Sequence, residues 1–340
     1  MALIETEVPA LDEYGYPRNF GWAKRPLFQY NHTQVEAPGR RIYGSDRYII
    51  FSPQHLIHGE IFDGGLMGFA ALTIISFKSK TRSSLSIVSP LPLGSFGLPD
   101  SSESGSIKVQ RGRFTLDFVA MAGGARILKA DIPKFSHNRG LRGVIVLTPP
   151  EGGESIVTNL PWREEKSAFQ YTRRSPWYVA EGVMQFAGHE LVFTKGSAWG
   201  IFDWNRGVRP RRDVRFWAAG SGLAGERHIS FSVGYGSADN SFATENAFFV
   251  DGKLHKLDQV TFQINPSYWL DKWHFTSNDG RLKMEFTPVM ERSVRHQFFF
   301  HTHRRRQVFG TFSGTIALDS GEEIAFRNIV GMGERKKTRF

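Results

Sequence analysis

The chain has 340 residues, more than one hydrophobic core usually holds, and its 40% hydrophobic and 22% charged content excludes a disordered protein. The absence of cysteine excludes disulfides, thiolate metal sites and a cysteine nucleophile. The net charge of +10 includes arginine clusters, but no nucleic-acid-binding motif accompanies them, so nucleic acid is not an expected partner.

The first 40 residues are rich in Pro, Gly and Asn and predict an extended arm. They contain no basic segment followed by an apolar one, so we expect no signal peptide. No later apolar run approaches the roughly 20 residues of a membrane-spanning helix. Together with the missing cysteines, these features predict a cytoplasmic protein.

Short runs of β-branched and aromatic residues, separated by Gly, Pro and Ser, follow from Arg47 onward. Residues 113–119, RFTLDFV, alternate strictly, which is typical of a strand with one buried face. Asp251-Gly252 and Asp279-Gly280 each separate two such runs and supply the positive φ of a tight hairpin. No window has the periodicity of a helix of three or more turns. We therefore predict an all-β protein with under roughly a tenth of its residues in helices.

A polar stretch containing Pro and Arg, from Trp162 to Pro176, separates the strand-like runs of the two halves. Many short strands with hairpin turns on both sides of such a stretch indicate antiparallel sandwiches or barrels. We predict two tandem barrels, one over residues 1–165 with the extended arm and one over residues 166–340 with a basic tail.

Several segments carry a family resemblance, including FGWAKRPLFQYN at residues 20–31, AWGIFDWNRGVRPRRDVRFWAAGSG at residues 198–222 and the closing FGTFSGTIALDSGEEI. With them the chain resembles, over essentially its whole length, the bacterial family catalogued as domain of unknown function 2804. More distantly, it is similar to the hydroxyneurosporene synthase (carotenoid 1,2-hydratase) and AttH-like proteins, which are built as two calycin barrels. The resemblance implies a double lipocalin-like fold. The arginines at residues 209–215 depart from the family pattern, so a shared substrate is not implied.

A carboxylate, an arginine and two tryptophans occur within fifteen residues: Asp203, Trp204, Arg206 and Trp217. Burial among aromatic rings raises a carboxyl pKa and suits it to general acid catalysis, whereas a neighbouring arginine lowers that pKa. Asp203 is therefore a candidate catalytic acid, with Trp204, Arg206 and Trp217 as candidate ligand-binding residues. The alternative is a structural ion pair between Asp203 and Arg206, with both tryptophans in the core.

Glu245 and Asn246 precede the strand-like run AFFVDG. Glu245 is a second candidate catalytic carboxylate and Asn246 a candidate ligand-binding residue, because this pair could orient a water or hold a hydroxyl. The alternative is a turn residue and an edge-strand charge. We predict that Asp203 and Glu245 converge with the tryptophans and Arg206 at one cavity, in the second domain or at the domain junction. Glu334 is expected to be a surface charge beside the basic tail.

His301 and His303 lie two residues apart and would share one face of a strand. A third metal ligand is not evident nearby, and the arginines at residues 304–306 would repel a cation. The sequence also lacks a P-loop, a Rossmann glycine pattern, an HExxH motif and a GxSxG elbow. We therefore predict no metal site and no cofactor.

Two function classes remain open, and in both the expected partner is an apolar, isoprenoid- or lipid-like small molecule held in a barrel cavity. The first is an enzyme of the hydratase, isomerase or cyclase type that works by acid–base chemistry. The second is a non-catalytic hydrophobic-ligand-binding protein. Binding of an anionic surface or nucleic acid through the arginine clusters is the less favoured alternative. A carboxylate pointing into a closed apolar cavity would distinguish the enzyme.

Overall fold

Strands make up nearly all of the regular structure. The computed structural model describes residues 2–236, 238–298 and 301–339. Within these residues there is no α-helix, and two short 3₁₀ turns occur at His32–Gln34 and Ala122–Gly124. The predicted all-β fold is therefore confirmed. No helix in the described part of the chain is long and apolar enough to cross a membrane.

The first fifteen strands lie before residue 209. In chain order they are β1 (Val8–Pro9), β2 (Gly21–Ala23), β3 (Phe28–Gln29), β4 (Ile42–Phe51), β5 (His55–Asp63), β6 (Met67–Ser76), β7 (Thr81–Pro90), β8 (Ile107–Arg111), β9 (Phe114–Ala120), β10 (Arg126–Ser136), β11 (Arg139–Thr148), β12 (Ile156–Pro161), β13 (Phe169–Phe186), β14 (His189–Phe193) and β15 (Trp199–Val208).

Thirteen of these strands form one curled antiparallel sheet, the first sheet. Its main path runs β7-β6-β5-β4-β15-β13-β11-β10-β9-β8. Strands β12 and β14 also pair with β13, and β2 pairs with β12. Strands β1 and β3 make a separate parallel pair.

Nine further strands form the second sheet, which is also curled and antiparallel, with the path β19-β18-β17-β16-β24-β23-β22-β21-β20. Asp251 at φ 51° and Gly252 at φ 80° make the expected tight turn between its strands β18 and β19. The strands are β16 (Arg212–Ala224), β17 (Arg227–Tyr235), β18 (Ala247–Val250), β19 (Lys253–Lys256), β20 (Val260–Gln263), β21 (Trp273–Ser277), β22 (Leu282–Phe298), β23 (His301–Ala317) and β24 (Glu323–Arg339).

The chain passes from the first sheet to the second between Val208 and Arg212, and not at the boundary of 165 and 166 expected from the sequence. The polar stretch that suggested a linker includes the first half of β13, where Arg173 and Arg174 are buried. Their partners come from distant parts of the chain, so local composition could not show that they are buried. Whether each half folds as an independent domain stays a prediction.

Alternation along the central strands gives the first sheet two buried faces. In the pairing of β4 with β15, Arg47 lies opposite Asp203, and Tyr48 lies opposite Phe202. Tyr48 and Phe202 belong to the core on the concave side of the first sheet. Their neighbours point the other way, toward the second sheet.

The two sheets pack face to face through an apolar cluster with no member more than 1% exposed. It consists of Ile49, Phe51, Leu56, Ile75 and Ile201 from the first sheet and Trp217, Ala219, Phe309 and Met332 from the second. Further along the same faces the side chains are charged, and they remain buried.

Candidate functional site

A buried network of charges continues the interface beyond the apolar cluster. It contains four carboxylates and four arginines, so its formal charges cancel. Each member is less than 9% exposed, and burial of this kind requires pairing, because an isolated buried charge costs several kcal/mol. The members are Glu60, Asp203, Glu245, Glu334, Arg47, Arg174, Arg215 and Arg305.

Arg47 joins the two sheets at the centre of this network. Its Nη2 lies 2.5 Å from Oδ2 of Asp203, on the neighbouring strand, and its Nη1 lies 3.0 Å from Oε1 of Glu334, on the second sheet. Nε of Arg174 donates to the other Asp203 oxygen at 3.1 Å. The guanidinium of Arg47 also lies 4.7 Å from the centre of the Trp217 ring. Trp217 thus covers the ion pairs as well as belonging to the apolar cluster.

The network has two ends. At one end, Oε2 of Glu245 lies 2.6 Å from Nη1 of Arg174 and 3.4 Å from Nη2 of Arg215. At the other end, Arg305 binds Glu60 with both terminal nitrogens, one of them at 2.7 Å. Nε of Arg305 lies 3.3 Å from Glu334, which connects this pair to Arg47.

The carboxyl groups of the network are ionised. Burial alone would raise the pKa of Asp203, but Arg47 and Arg174 outweigh it and hold that pKa well below its usual range. Arg174 and Arg215 likewise overcome the effect of burial and lower the pKa of Glu245. A carboxylate held in this way cannot donate a proton at neutral pH, so the arrangement does not favour the general acid role expected for Asp203 and Glu245.

The Glu60 end of the network opens onto a cleft of about 340 Å³ between β5–β7 of the first sheet and β22–β23 of the second. Phe69 forms an apolar wall and is stacked on the His296 ring at 4.9 Å. Arg82 lies on the exposed side, and Arg292 on the opposing sheet. The volume falls within the range of small-molecule sites. We call this space the inter-sheet cleft.

Two buried imidazoles line the inter-sheet cleft. His58 is 3% exposed and His303 is 2% exposed. Within the described residues, Nε2 of His58 and both ring nitrogens of His303 have no partner. Burial lowers the pKa of His58 to about 3, despite nearby Glu60, and burial together with Arg305 lowers the pKa of His303 well below its usual value. Both rings are neutral at pH 7. They can donate and accept hydrogen bonds to a ligand.

These imidazoles do not make a metal site with their neighbours. Nε2 of His58 lies 3.9 Å from Oε2 of Glu60, and that carboxylate is bound by Arg305. Among the described residues, no group of three or more His, Cys, Asp or Glu side chains is placed to hold a metal ion. The side chain of His301 lies outside what the structure describes.

The structure brings together only some of the site residues predicted from the sequence. Asp203, Glu245 and Trp217 meet in the buried network. Trp204 and Arg206 lie on the opposite face of β15, where the Arg206 guanidinium is 4.4 Å from the Trp204 ring centre. The alternative considered from the sequence, an ion pair between Asp203 and Arg206, is not formed, because residues an odd number apart on a strand face opposite sides.

Arg206 forms an ion pair with a carboxylate other than Asp203. Its Nη1 lies 2.7 Å from Oδ1 of Asp46, and its Nη2 donates to the Pro99 carbonyl at 2.7 Å. It also lines a smaller hollow of about 190 Å³, together with Tyr30 and Tyr43, on the concave side of the first sheet. Arg206 is therefore a predicted ligand-binding residue that borders a hollow.

Asn246 has a structural position. Its Oδ1 accepts from the Gly234 amide at 2.6 Å, and its Nδ2 donates to the Asp258 carbonyl at 2.8 Å. Glu334 is 2% exposed and sits inside the network, so the prediction of a surface charge is wrong. The sequence signal that was available for Glu334 is its spacing on β24: Met332 and Glu334 share a face, and Met332 is core.

A larger depression of about 620 Å³ occurs at the ends of two hairpins, between Gly140 and Gly188. Its lining includes exposed charged side chains such as Arg142. None of its lining atoms is among the buried polar atoms that lack partners in the described residues. The inter-sheet cleft is therefore the best candidate for a ligand site.

The fold is defined by two curled antiparallel sheets packed face to face. The chain belongs to the family described as Domain of unknown function (DUF2804), whose model matches residues 2–340. It is similar to a putative AttH from Nitrosomonas europaea, with 12% identity, a TM-score of 0.51 and coverage of 91% of this chain and 96% of that one. It is similar to CghA at 13% identity, a TM-score of 0.50 and coverage of 99% and 96%. These likenesses show the shared fold. No curated protein matches the sequence.

Proposed function

We propose that the protein binds a small organic molecule with an apolar body and a carbonyl or carboxylate oxygen in the inter-sheet cleft. The observation that carries this proposal is the pair of buried, neutral imidazoles of His58 and His303 at the wall of a cleft of ligand size; among the described residues, Nε2 of His58 and both ring nitrogens of His303 lack partners. Buried polar atoms are nearly always hydrogen-bonded, so these nitrogens need a partner that the described residues do not supply. Phe69 supplies the apolar contact.

The charges around the cleft support an oxygen-bearing ligand. Arg82, Arg292 and Arg305 line it, and Glu60 is already bound by Arg305. Guanidinium groups in a partly desolvated site attract a carboxylate and stabilise an oxyanion that forms from a carbonyl. In this proposal the barrel interiors are packed cores, and the ligand lies between the sheets.

If the ligand is converted, the chemistry would be of the isomerase, hydratase or cyclase type. A neutral imidazole can polarise a carbonyl by donating a hydrogen bond, and an arginine can stabilise the negative charge that develops on the carbonyl oxygen. Asp203, Glu245 and Trp217 hold the two sheets in register beneath the cleft and do not touch the ligand. A protein that binds without converting its ligand would use the same contacts.

Analysis of the small molecules carried by the purified protein tests the proposal. The protein is denatured, and the released molecules are identified by mass spectrometry. Ser84→Trp fills the mouth of the cleft and should abolish the passenger. Thr148→Trp, at an exposed position on β11 of the same sheet, is the matched control and should retain it. Equal recovery from both variants would place the ligand elsewhere.

The same measurement separates conversion from binding. His303→Gln keeps hydrogen-bonding atoms but removes the imidazole. If the protein is an enzyme, the variant should carry a different molecule, the unconverted substrate, while the unaltered protein carries product. Recovery of one and the same molecule from both proteins would indicate a binding protein.

A further inference from the structure

A second feature of the molecule, separate from the inter-sheet cleft, is a dense set of cations on the other face of the second sheet. Strands β22, β23 and β24 are each seventeen residues long, and their paired ends carry these cations. We call the set the basic face. It consists of Arg295, Arg304, Arg306, Arg335, Lys337 and Arg339.

Strand pairing places these cations directly beside one another. Arg295 pairs with Arg304, and Arg304 pairs with Lys337, which makes one row of three. Arg306 pairs with Arg335 in the row next to it. A groove of about 350 Å³ runs between the two rows. Like charges on directly opposed strand positions destabilise a sheet, so this arrangement indicates an anionic partner that offsets the repulsion.

Within the part of the chain that the structure describes, little of this charge is neutralised. Within the described residues, Glu291 is the carboxylate that forms an ion pair with a member of the basic face, at 3.0 Å from Arg306. Arg295, Arg304, Lys337 and Arg339 are exposed.

Exposed apolar side chains flank the basic face. The loop between β20 and β21 packs Trp269 under Arg306, with 4.8 Å between the guanidinium carbon and the ring centre. The residues on either side of that tryptophan point outward: Tyr268 is 68% exposed and Leu270 is 52% exposed. A cluster of cations beside exposed aromatic and aliphatic side chains is the composition of a surface that lies on an anionic bilayer.

We infer that the basic face and the loop bearing Tyr268 and Leu270 dock the protein on an anionic phospholipid surface. Single-stranded nucleic acid fits less well, because it needs aromatic rings free to stack on bases. The rings interleaved with these cations, Phe216 and Trp269, lie beneath the guanidinium groups of Arg335 and Arg306. Strand β22 carries Arg295 of the basic face and, at alternate positions, Arg292 and His296 of the inter-sheet cleft, so docking would bring the cleft close to the bilayer.

Vesicle binding by the full chain tests this inference. The probes are vesicles of equal parts phosphatidylcholine and phosphatidylglycerol and vesicles of phosphatidylcholine alone. The protein should bind the anionic vesicles, bind the neutral ones at least tenfold more weakly, and be released as salt rises, because each cation near the surface contributes about 1 kcal/mol that salt screens. Equal binding to both vesicle types, or no binding to either, would overturn the inference.

A charge-matched pair of variants locates the surface. Arg295→Gln, Arg304→Gln and Lys337→Gln together should weaken the partition onto anionic vesicles on the order of 100-fold. Lys108→Gln, Arg111→Gln and Arg113→Gln together remove the same charge from the exposed β8–β9 hairpin and should weaken it less than threefold. Equal losses in the two triple variants would show a general effect of net charge and would overturn the assignment.

Two further measurements keep the result interpretable. The first triple variant should melt no lower than the unaltered protein, because it relieves cross-strand repulsion. Tyr268→Ser with Leu270→Ser should weaken vesicle binding while leaving its salt dependence unchanged. A single-stranded oligonucleotide that binds more tightly than the anionic vesicles, with the same loss in the first triple variant, would replace the lipid surface by nucleic acid.

Discussion

Replacing Asp203 with Asn tests whether the buried network stabilises the fold. The side chain is fully buried and accepts from Arg47, Arg174 and Asn205, so the change leaves two arginines facing an uncharged amide. Removing one partner of a buried ion pair costs about 3–5 kcal/mol. Since the asparagine oxygen still accepts one hydrogen bond, we expect a loss near the lower end, about 3 kcal/mol at pH 7.

The assay is urea unfolding followed by tryptophan fluorescence, with circular dichroism as a second probe of the same transition. The control is Asp131→Asn, which removes an exposed ion pair with Arg142 at 3.6 Å and should change the free energy of unfolding by under about 0.5 kcal/mol. A loss in the Asp203 variant below about 1 kcal/mol would refute the view that the network holds the sheets together.

The pH dependence gives this prediction a definite sign. The folded-state pKa of Asp203 is lowered by its arginines, so its ionised form stabilises the folded state above the unfolded pKa of about 4. That contribution is lost as pH falls below about 4. The difference in stability between the unaltered protein and Asp203→Asn should therefore be constant from pH 7 to pH 5 and shrink at lower pH. A constant difference down to the lowest pH would contradict the assigned cause.

Three further predictions follow from buried groups. Because burial lowers the pKa of His58 to about 3, its contribution to the stability of the folded state is complete above the unfolded histidine pKa of about 6.5 and is lost as pH falls below that value. His58→Gln should therefore reduce the slope of the thermal midpoint against pH between pH 6.5 and pH 4. An unchanged slope would contradict this. Gly333→Ala should lower stability by about 1–3 kcal/mol, because its Cβ would lie 2.1 Å from the buried Trp273 ring. Gly39→Ala, where φ is not positive and no atom lies within 4 Å of the added Cβ, is the control for the loss of a glycine, and both variants are compared by urea midpoint. Far-ultraviolet circular dichroism should show a single β-type minimum, and a helical double minimum would contradict the fold.

Much of the fold could be predicted from local patterns, because strand alternation and Asp-Gly turns are local signals. RFTLDFV became β9, with Phe114, Leu116 and Phe118 buried as the alternation requires. The boundary between the sheets could not be predicted, since β15 pairs with β4 across about 150 residues. A stretch such as the start of β13 appears polar until its distant partners are known.

The site was predictable only by residue type. The sequence predicted that Asp203 and Trp217 converge at one cavity; the structure places both against Arg47 in the buried network, and a ligand-binding role for them stays a prediction. Their partner Arg47 could not be identified, because the ion pair spans 156 residues of sequence. The same applies to Glu60, whose pair with Arg305 spans 245 residues. Two such pairs carry no short-range signature, so the network and the cleft above it become visible only in three dimensions.

The pairing of β4 with β15 has a consequence for biosynthesis. Strand β4 leaves the ribosome early, but β15, its partner on one side, ends at Val208. One edge of β4 therefore stays unpaired until the intervening chain has been synthesised. Closing so long a loop is slow, and open strand edges aggregate during such delays. A fragment that ends at residue 165 would retain this open edge permanently. Attempts to produce the N-terminal half alone should therefore extend it through Val208.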